Sequence, residues 1–310
     1  MRTIQSLQAG RGIAAVAVLI HHSMLAARDF GGAFPGMGVL KQGYLGVDFF
    51  FVLSGFIIYH STIGRDRSPK DYALARFRRV FIPYWPVGIG IALLYVLMPH
   101  LSAGARDWSW LSTLTLAPVD SHPALSVAWT LQHEILFYIL FGLFFYSGLF
   151  WLGLGLWALC IVVGAPHLAL ETINLEFFFG IAACALYRRG VAHPALMLFA
   201  IPAFALWGLL GGDEAHRVLV GLGLAFIIAP IAQLERRHFA VPQWLVTLGA
   251  ASYSIYLVHV PMISLAARLA HGSWPILFVS AAAGLAGGFA YHYAVERRAV
   301  RRRLNPEVFA

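Results

Sequence analysis

Charged residues are scarce in this chain. Only 12% of its 310 residues are Asp, Glu, Lys or Arg, about half the share of an ordinary soluble domain. Hydrophobic residues make up 60%, and the mean hydropathy is +0.74. Because a soluble fold with so few polar residues could not cover its surface, the composition excludes a soluble domain. It predicts a single all-α membrane bundle over residues 1–310.

Cysteine is almost absent, and its scarcity excludes a disulfide framework. Cys160 and Cys184 are the only two, and both lie inside apolar runs. The net charge of +8 would indicate nucleic-acid binding in a soluble protein. Here the basic residues occupy short breaks between apolar runs, which is typical of membrane topology. We therefore expect the lipid bilayer as a partner and no nucleic acid.

Long apolar runs are abundant, and about 20 apolar residues suffice to span a bilayer as a helix. The first run lacks a small-residue cleavage site after it, so we interpret it as a retained helix rather than a signal peptide. The prediction is a polytopic transmembrane helical bundle of about ten spans, followed by a short basic tail at about 297–310. The ten runs lie at approximately 8–27, 43–62, 79–98, 129–147, 149–165, 170–187, 194–211, 216–233, 246–267 and 274–295.

The distribution of Lys and Arg predicts the orientation of these spans. With ten spans and a cytoplasmic N-terminus, 17 of the 22 basic residues fall on the cytoplasmic side. Short cytoplasmic loops are enriched in Lys and Arg, whereas an odd number of spans would place the C-terminal basic cluster outside. We therefore expect both termini in the cytoplasm and a multi-pass protein of the cell inner membrane.

Ionisable residues inside spans are costly and mark functional or paired groups. His22 follows Arg11 by 11 residues, so it lies about 16 Å further along the helix, in the outer half of the membrane. Asp48 and Glu134 lie near the outer ends of their own runs, so we expect them to pair with His22 at similar depth. The full set of such residues is His21, His22, Asp48, Glu134, Glu176, His259 and His292.

A histidine beside a buried carboxylate is a general-base arrangement, because the carboxylate fixes the tautomer and stabilises the imidazolium. His22 is the predicted base and Glu134 the group that orients it. Asp48 is either a second orienting group or a structural residue of the GVDFFF segment. The alternative is that these groups only hold helices together. His21 points about 100° away on the helix, which favours a packing role.

Basic residues near the cytoplasmic side form a second candidate feature. Arg76 and Arg79 precede the third run, and Arg11 lies at the entrance of the first. Such residues are ordinary topology signals, but arginine also grips phosphates with two parallel hydrogen bonds. A long carrier such as coenzyme A could bridge from these arginines to His22. Small polar groups could line that path or serve helix packing; these are Ser54, Ser252 and Tyr253.

Five segments together resemble a known family, the membrane-bound acyltransferase-3 family of O-acyltransferases. The opening IQSLQAGRGIAAVAVLIHH is similar to the exopolysaccharide-modifying branch of that family. Two departures are Thr130, where the family usually has Ser, and Arg297, where Pro often follows the glutamate. The segments are RGIAAVAVLIHH with Arg11 and His22, GYLGVDFFFVLSGFII with Asp48 and Ser54, RFRRVFIPYW with Arg76 and Arg79, WTLQHEILFY with Glu134, and SYSIYLVHVP with Ser252, Tyr253 and His259.

The resemblance implies an acyl-CoA donor, with acetyl-CoA as the simplest case, and no metal. It implies acyl transfer to a carbohydrate hydroxyl at or beyond the outer face, on a glycan or a lipid-linked oligosaccharide. It further implies that His22 and Glu134 are essential and that Arg11, Arg76 and Arg79 bind the donor. Polysaccharide synthesis or export machinery is a further candidate partner.

Two functions of other classes compete with the acyltransferase interpretation. One is a transporter that uses the buried charges as a proton relay, which inverted repeats would favour; the sequence shows no clear repeat. The other is a structural subunit of a polysaccharide export machine, which would need no catalytic groups.

Overall fold

A computed structural model describes residues 4–99, 107–119, 121–164, 167–212, 216–236 and 240–298. Of the predicted basic tail at 297–310, only Arg297 and Arg298 lie within these ranges. The described residues form thirteen α-helices: α1 Gln5–Gly31, α2 Met37–Lys41, α3 Gly46–Thr62, α4 Pro69–Leu97, α5 Trp110–Thr115, α6 Trp129–Tyr146, α7 Phe150–Val163, α8 Leu175–Arg189, α9 Ala200–Leu209, α10 Val218–Glu235, α11 Gln243–Ala250, α12 Ser252–Ala266 and α13 Ser273–Tyr291.

The prediction of an all-helical membrane protein is confirmed, but ten spans are not. Within the described ranges, six helical segments are long and apolar enough to cross a membrane. A seventh is added if α11 and α12, which meet at an angle of 63°, count as one span. The helices α7, α8 and α9 are too short to qualify. The 14 residues of α7 extend only about 21 Å, against about 30 Å of hydrocarbon.

Helix α4 begins ten residues earlier than the third apolar run indicated. The Ser68 hydroxyl caps its N-terminus by accepting a hydrogen bond from the Asp71 amide at 3.1 Å, and Pro69 occupies the first turn. Both are strong helix-start signals. Arg76 and Arg79 therefore lie within a continuous helix rather than in a loop before it, and the helix carries Arg76 into the protein interior.

The backbones of helices α3 and α8 are in close contact at a glycine of each helix. A Cβ atom added at Gly180 would collide with the carbonyl oxygen of Val52, and one added at Gly55 would collide with that of Phe177. Such close backbone approach is typical of helix pairs in membranes, where small residues take the place of a hydrophobic driving force. The contact fixes α3, whose opposite side carries cavity-lining residues, against the rest of the bundle.

The Gly180→Ala substitution is expected to destabilise the protein, because the new methyl group meets backbone that cannot move aside. Overpacking of this kind typically costs about 1–3 kcal/mol. The matched control is Gly155→Ala in α7, where an added Cβ meets nothing within 4 Å. Thermal unfolding in detergent should show a lower midpoint for the first variant only. Equal midpoints for the two variants would contradict this contact.

Candidate active site

A cavity lined by charged, polar and apolar side chains lies between α1, α3, α4, α6 and the start of α12. Seven of the nine site residues predicted from the sequence line it, and these come from five different helices. His22 and Asp48 are not among the lining residues. The seven are Arg11, Ser54, Arg76, Arg79, Glu134, Ser252 and Tyr253.

Three guanidinium groups give the cavity a basic wall. Arg76 is only 6% exposed, and its Cζ atom lies 5.9 Å and 5.8 Å from the ring centres of Tyr72 and Tyr138. The aromatic faces stabilise the buried cation. Arg76 Nε nevertheless has no hydrogen-bond partner among the described residues. A buried N–H without an acceptor is costly, so this group is suited to bind an anionic ligand.

Glu134 is the acidic group of the cavity, and its carboxylate serves as a hydrogen-bond acceptor. Its Oε1 atom accepts a hydrogen bond from the Ser54 hydroxyl at 3.3 Å and another from the Tyr138 hydroxyl. Ser54 lies on α3, and Tyr138 lies one turn further along α6. The hydrogen bonds of Glu134 therefore connect α3 to α6 across the cavity.

The bend between α11 and α12 places Ser252 and Tyr253 in the cavity wall. The Tyr253 hydroxyl donates a hydrogen bond to the Val80 carbonyl at 2.9 Å, which ties α12 to α4. Ser252 is fully buried, and its hydroxyl has no partner in the part of the chain that the structure describes. Like Arg76 Nε, it is a buried polar group that a ligand could satisfy.

His22 lies on α1 beside the cavity rather than in its lining. Its Nδ1 atom lies 3.0 Å from the Val18 carbonyl oxygen and 3.3 Å from His259 Nε2. The His259 ring packs against Tyr256, with ring centres 5.6 Å apart, and Tyr256 lines the cavity. His22 is thus connected to the cavity wall through His259 and Tyr256.

The predicted pairing of His22 with Glu134 is not observed. Over the described ranges, the hydrogen bonds of Glu134 go to Ser54 and Tyr138, and those of His22 go to Val18 and His259. The physical reason is local, because two hydroxyl donors lie next to Glu134 on α3 and α6. Glu134 instead lines the same cavity as Arg11, Arg76 and Arg79.

Asp48 has a different partner from the one predicted. Arg217 Nε and Nη2 donate hydrogen bonds to its two carboxylate oxygens at 2.9 Å and 2.6 Å. Both side chains are buried, and Arg217 also lies over the Tyr44 ring, 5.3 Å from its centre. This geometry excludes direct orientation of His22 by Asp48 and supports the structural alternative, in which Asp48 holds α3 to the start of α10.

The sequence analysis did not identify Arg217 as the partner of a buried carboxylate. A usable signal was Glu176, a second carboxylate besides Asp48 within an apolar run, at 170–187. Two carboxylates in apolar segments of neighbouring helices require a buried cation. Across the described residues, no group of three or more His, Cys, Asp or Glu is placed to hold a metal ion.

A family model described as an acyltransferase domain, acyltransferase-3, matches residues 4–293, nearly the whole chain. The chain belongs to the acyltransferase-3 family. This confirms the resemblance drawn from the five sequence segments, and it identifies the protein as an enzyme that transfers acyl groups.

Two relatives of this acyltransferase cover most of its length. The exopolysaccharide production protein ExoZ of Rhizobium meliloti (strain 1021) is 30% identical over 300 residues, which span 84% of this chain and 90% of that protein. The acyltransferase MdmB of Streptomyces mycarofaciens is 25% identical over 326 residues, spanning 87% and 81% of the two chains. No solved structure matches this acyltransferase.

Proposed function

We propose that this acyltransferase transfers an acyl group, acetyl in the simplest case, from acyl-CoA to a hydroxyl of a cell-surface or exported glycan. The observation that carries the donor assignment is the cavity in which Arg11, Arg76 and Arg79 converge. Three arginines around one polar cavity suit the phosphates of coenzyme A. The glycan acceptor is supported by the 30% identity to a protein named for exopolysaccharide production.

The donor would lie along the length of the cavity. Its phosphates bind the three guanidinium groups, and Arg76 Nε gains the acceptor that it lacks. The pantetheine arm, which carries amide donors and acceptors, then passes Ser54, Ser252 and Tyr253. The buried Ser252 hydroxyl gains a partner in the same way. The thioester is thereby directed toward the end of the cavity near Tyr256 and His22.

His22 acts as the general base for direct transfer. The acceptor hydroxyl gives its proton to His22 while its oxygen forms a bond to the thioester carbonyl carbon. The carbon–sulfur bond then breaks, and the departing thiolate takes the proton from the imidazolium, so that free coenzyme A and an ester remain. Glu134 supports this step by holding Ser54 and Tyr138 in the cavity wall, while the contribution of Asp48 is structural.

We also propose the number of membrane crossings and the side on which the termini lie. The short helices α7, α8 and α9 would complete ten crossings of the cell inner membrane, with both termini in the cytoplasm. The placement of 17 of 22 basic residues on one side under this scheme supports it. The cavity arginines then face the compartment that contains acyl-CoA. Components of polysaccharide synthesis or export are the expected partners on the acceptor side.

The Arg76→Gln and Arg79→Gln variants are expected to bind acetyl-CoA about 10- to 100-fold more weakly than the unaltered protein, because each loses a charge-assisted hydrogen bond to phosphate. Arg78→Gln is the matched control, since Arg78 lies between them in sequence but does not line the cavity. Calorimetric titration of the purified protein measures the affinity. Equal affinity in all three variants would contradict the donor site. Absence of binding by the unaltered protein would overturn the proposed function and favour a transporter.

A further inference from the structure

A pair of imidazoles lies in the interior of the bundle beside the cavity. His259 of α12 is fully buried, and its ring centre lies 4.9 Å from that of His22 on α1, with an angle of 67° between the ring planes. The ring edges meet at His259 Nε2 and His22 Nδ1, which are 3.3 Å apart. Because each neutral imidazole has one donor and one acceptor nitrogen, the surrounding contacts determine which is which.

The contacts of His259 determine its tautomer. Its Nδ1 atom lies 2.7 Å from the Tyr256 carbonyl oxygen and 3.2 Å from the Ile255 carbonyl oxygen. A carbonyl oxygen can only accept, so Nδ1 carries the proton. Within the described residues His259 has no carboxylate partner, and a fully buried imidazole without one is neutral. Its Nε2 atom is therefore a bare acceptor aimed at His22.

The same reasoning then determines the tautomer of His22. Its Nδ1 atom faces two acceptors, the Val18 carbonyl oxygen at 3.0 Å and His259 Nε2 at 3.3 Å. Nδ1 must therefore carry the proton, and it donates a shared hydrogen bond to both. The lone pair of His22 lies on Nε2, on the side of the ring away from these contacts. This is the atom that a general base must present to its substrate.

We propose that His259 is a positioning residue, whose Nε2 atom accepts a hydrogen bond from His22 Nδ1–H and thereby fixes both the ring and the tautomer of the catalytic base. This inference rests on the proposed function of His22. The Val18 carbonyl lies one turn before His22 on the same helix and already serves the helical backbone. His259 supplies the contact from a second helix, which prevents rotation of the ring.

A neutral partner suits the proposed reaction. In a serine-hydrolase triad a carboxylate occupies this place and stabilises the imidazolium by its charge. A neutral imidazole fixes the tautomer but attracts the imidazolium less strongly, because it contributes no charge. A thiolate is a weaker base than an alkoxide, so it takes the proton more readily from an imidazolium that is only weakly stabilised. The proton removed from the sugar hydroxyl can therefore pass from His22 to the departing thiolate.

Neighbouring elements hold His259 in place. Its ring packs against Tyr256, whose hydroxyl is hydrogen-bonded to Thr130 at 2.8 Å and to the Val127 carbonyl at 3.0 Å. On the other side, a Cβ atom added at Gly284 of α13 would lie 3.5 Å from His259 Cβ. The surrounding side chains thus hold His259 Nε2 in a fixed position, as a positioning residue requires.

Two substitutions of similar size separate positioning from packing. The side-chain oxygen of glutamine in His259→Gln can replace Nε2 as the acceptor, whereas leucine in His259→Leu fills the space and accepts nothing. We expect kcat for transfer from acetyl-CoA to fall about 10- to 100-fold in His259→Leu, by analogy with the loss of hydrogen-bond partners that orient metal-binding histidines. His259→Gln should retain most of the activity. The KM for acetyl-CoA should be unchanged in both, because the arginines are untouched.

Nitrogen NMR of the histidine-labelled protein provides a readout that a purely structural role would not move. The signals of His22 are assigned by their absence in His22→Gln. The unaltered protein should show His22 with a protonated Nδ1 and a bare Nε2, and His259→Gln should preserve this state. A His22 protonated on Nε2 in the unaltered protein would overturn the inference, whether or not His259→Leu folds. Unchanged kcat in a folded His259→Leu protein would also overturn it.

This design keeps the inference separate from the proposed function. If the unaltered protein shows the expected tautomer but transfers no acyl group from acetyl-CoA, the proposed donor reaction fails and the hydrogen-bond assignment stands. If it transfers acyl groups and His259→Leu does so equally well, the proposed reaction stands and the positioning role of His259 fails.

Discussion

The His22→Ala variant is expected to transfer acyl groups about 100- to 10,000-fold more slowly than the unaltered protein, which is the usual contribution of a general base. The imidazole is the proposed proton acceptor. Among the described residues, the one titratable side chain hydrogen-bonded to it is His259, whose available nitrogen faces His22 itself. Binding of acetyl-CoA should be unchanged, because the arginine wall of the cavity is intact. Release of coenzyme A thiol in the presence of acceptor measures the rate.

His21→Ala is the matched control for this experiment. His21 is the adjacent residue, but its Nδ1 atom bonds to the Lys41 carbonyl oxygen at 2.7 Å, on a different side of α1. Its loss should leave the transfer rate close to that of the unaltered protein. If His22→Ala and His21→Ala are equally active, His22 is not the base.

The Arg217→Met variant is expected to lower the free energy of unfolding by about 3–5 kcal/mol, the usual result of removing one partner of a buried ion pair. The substitution leaves the carboxylate of Asp48, which is fully buried, without the guanidinium that binds it with two hydrogen bonds. Unfolding by denaturant in detergent, followed by tryptophan fluorescence, measures the change.

Two further variants separate ion pairing from packing at this position. Asp48→Asn combined with Arg217→Met removes both charges of the pair and should recover part of the lost stability. Arg28→Met breaks the Arg28–Asp29 pair, whose side chains are 50% and 54% exposed, and should change the free energy of unfolding by at most about 1 kcal/mol. Equal losses in Arg217→Met and Arg28→Met would contradict the buried pair.

The sequence predicted the residues of the cavity better than it predicted their partners. Apolar runs and arginine placement predicted that Arg11, Arg76 and Arg79 form one basic site, but Glu134, which was predicted to lie apart from them with His22, lines the same cavity. Depth along a helix can be counted from the sequence at 1.5 Å per residue. The direction in which a side chain points also depends on how the helices are rotated against one another, which a single sequence does not state. His22 and Glu134 were therefore predicted to pair and do not.

The remaining differences have specific causes. Asp48 pairs with Arg217 because α10 packs beside α3, a neighbour relation that no local pattern of the sequence expresses. Fewer than ten helices qualify as spans by length, because glycines end α7 and α8 early, at Gly164 and Gly190. The sequence showed His259 as an ionisable residue inside a span. Its proposed positioning role depends on a contact between α1 and α12.

We propose that this acyltransferase carries an acyl group from coenzyme A to a glycan by way of the arginine cavity and His22. The most direct test reconstitutes the purified protein in lipid vesicles with labelled acetyl-CoA and an oligosaccharide acceptor, and follows the label by mass spectrometry. We expect labelled ester on the oligosaccharide with the unaltered protein, strongly reduced by Arg79→Gln and almost none with His22→Ala. Ester formation that is equally fast in all three proteins would contradict this account.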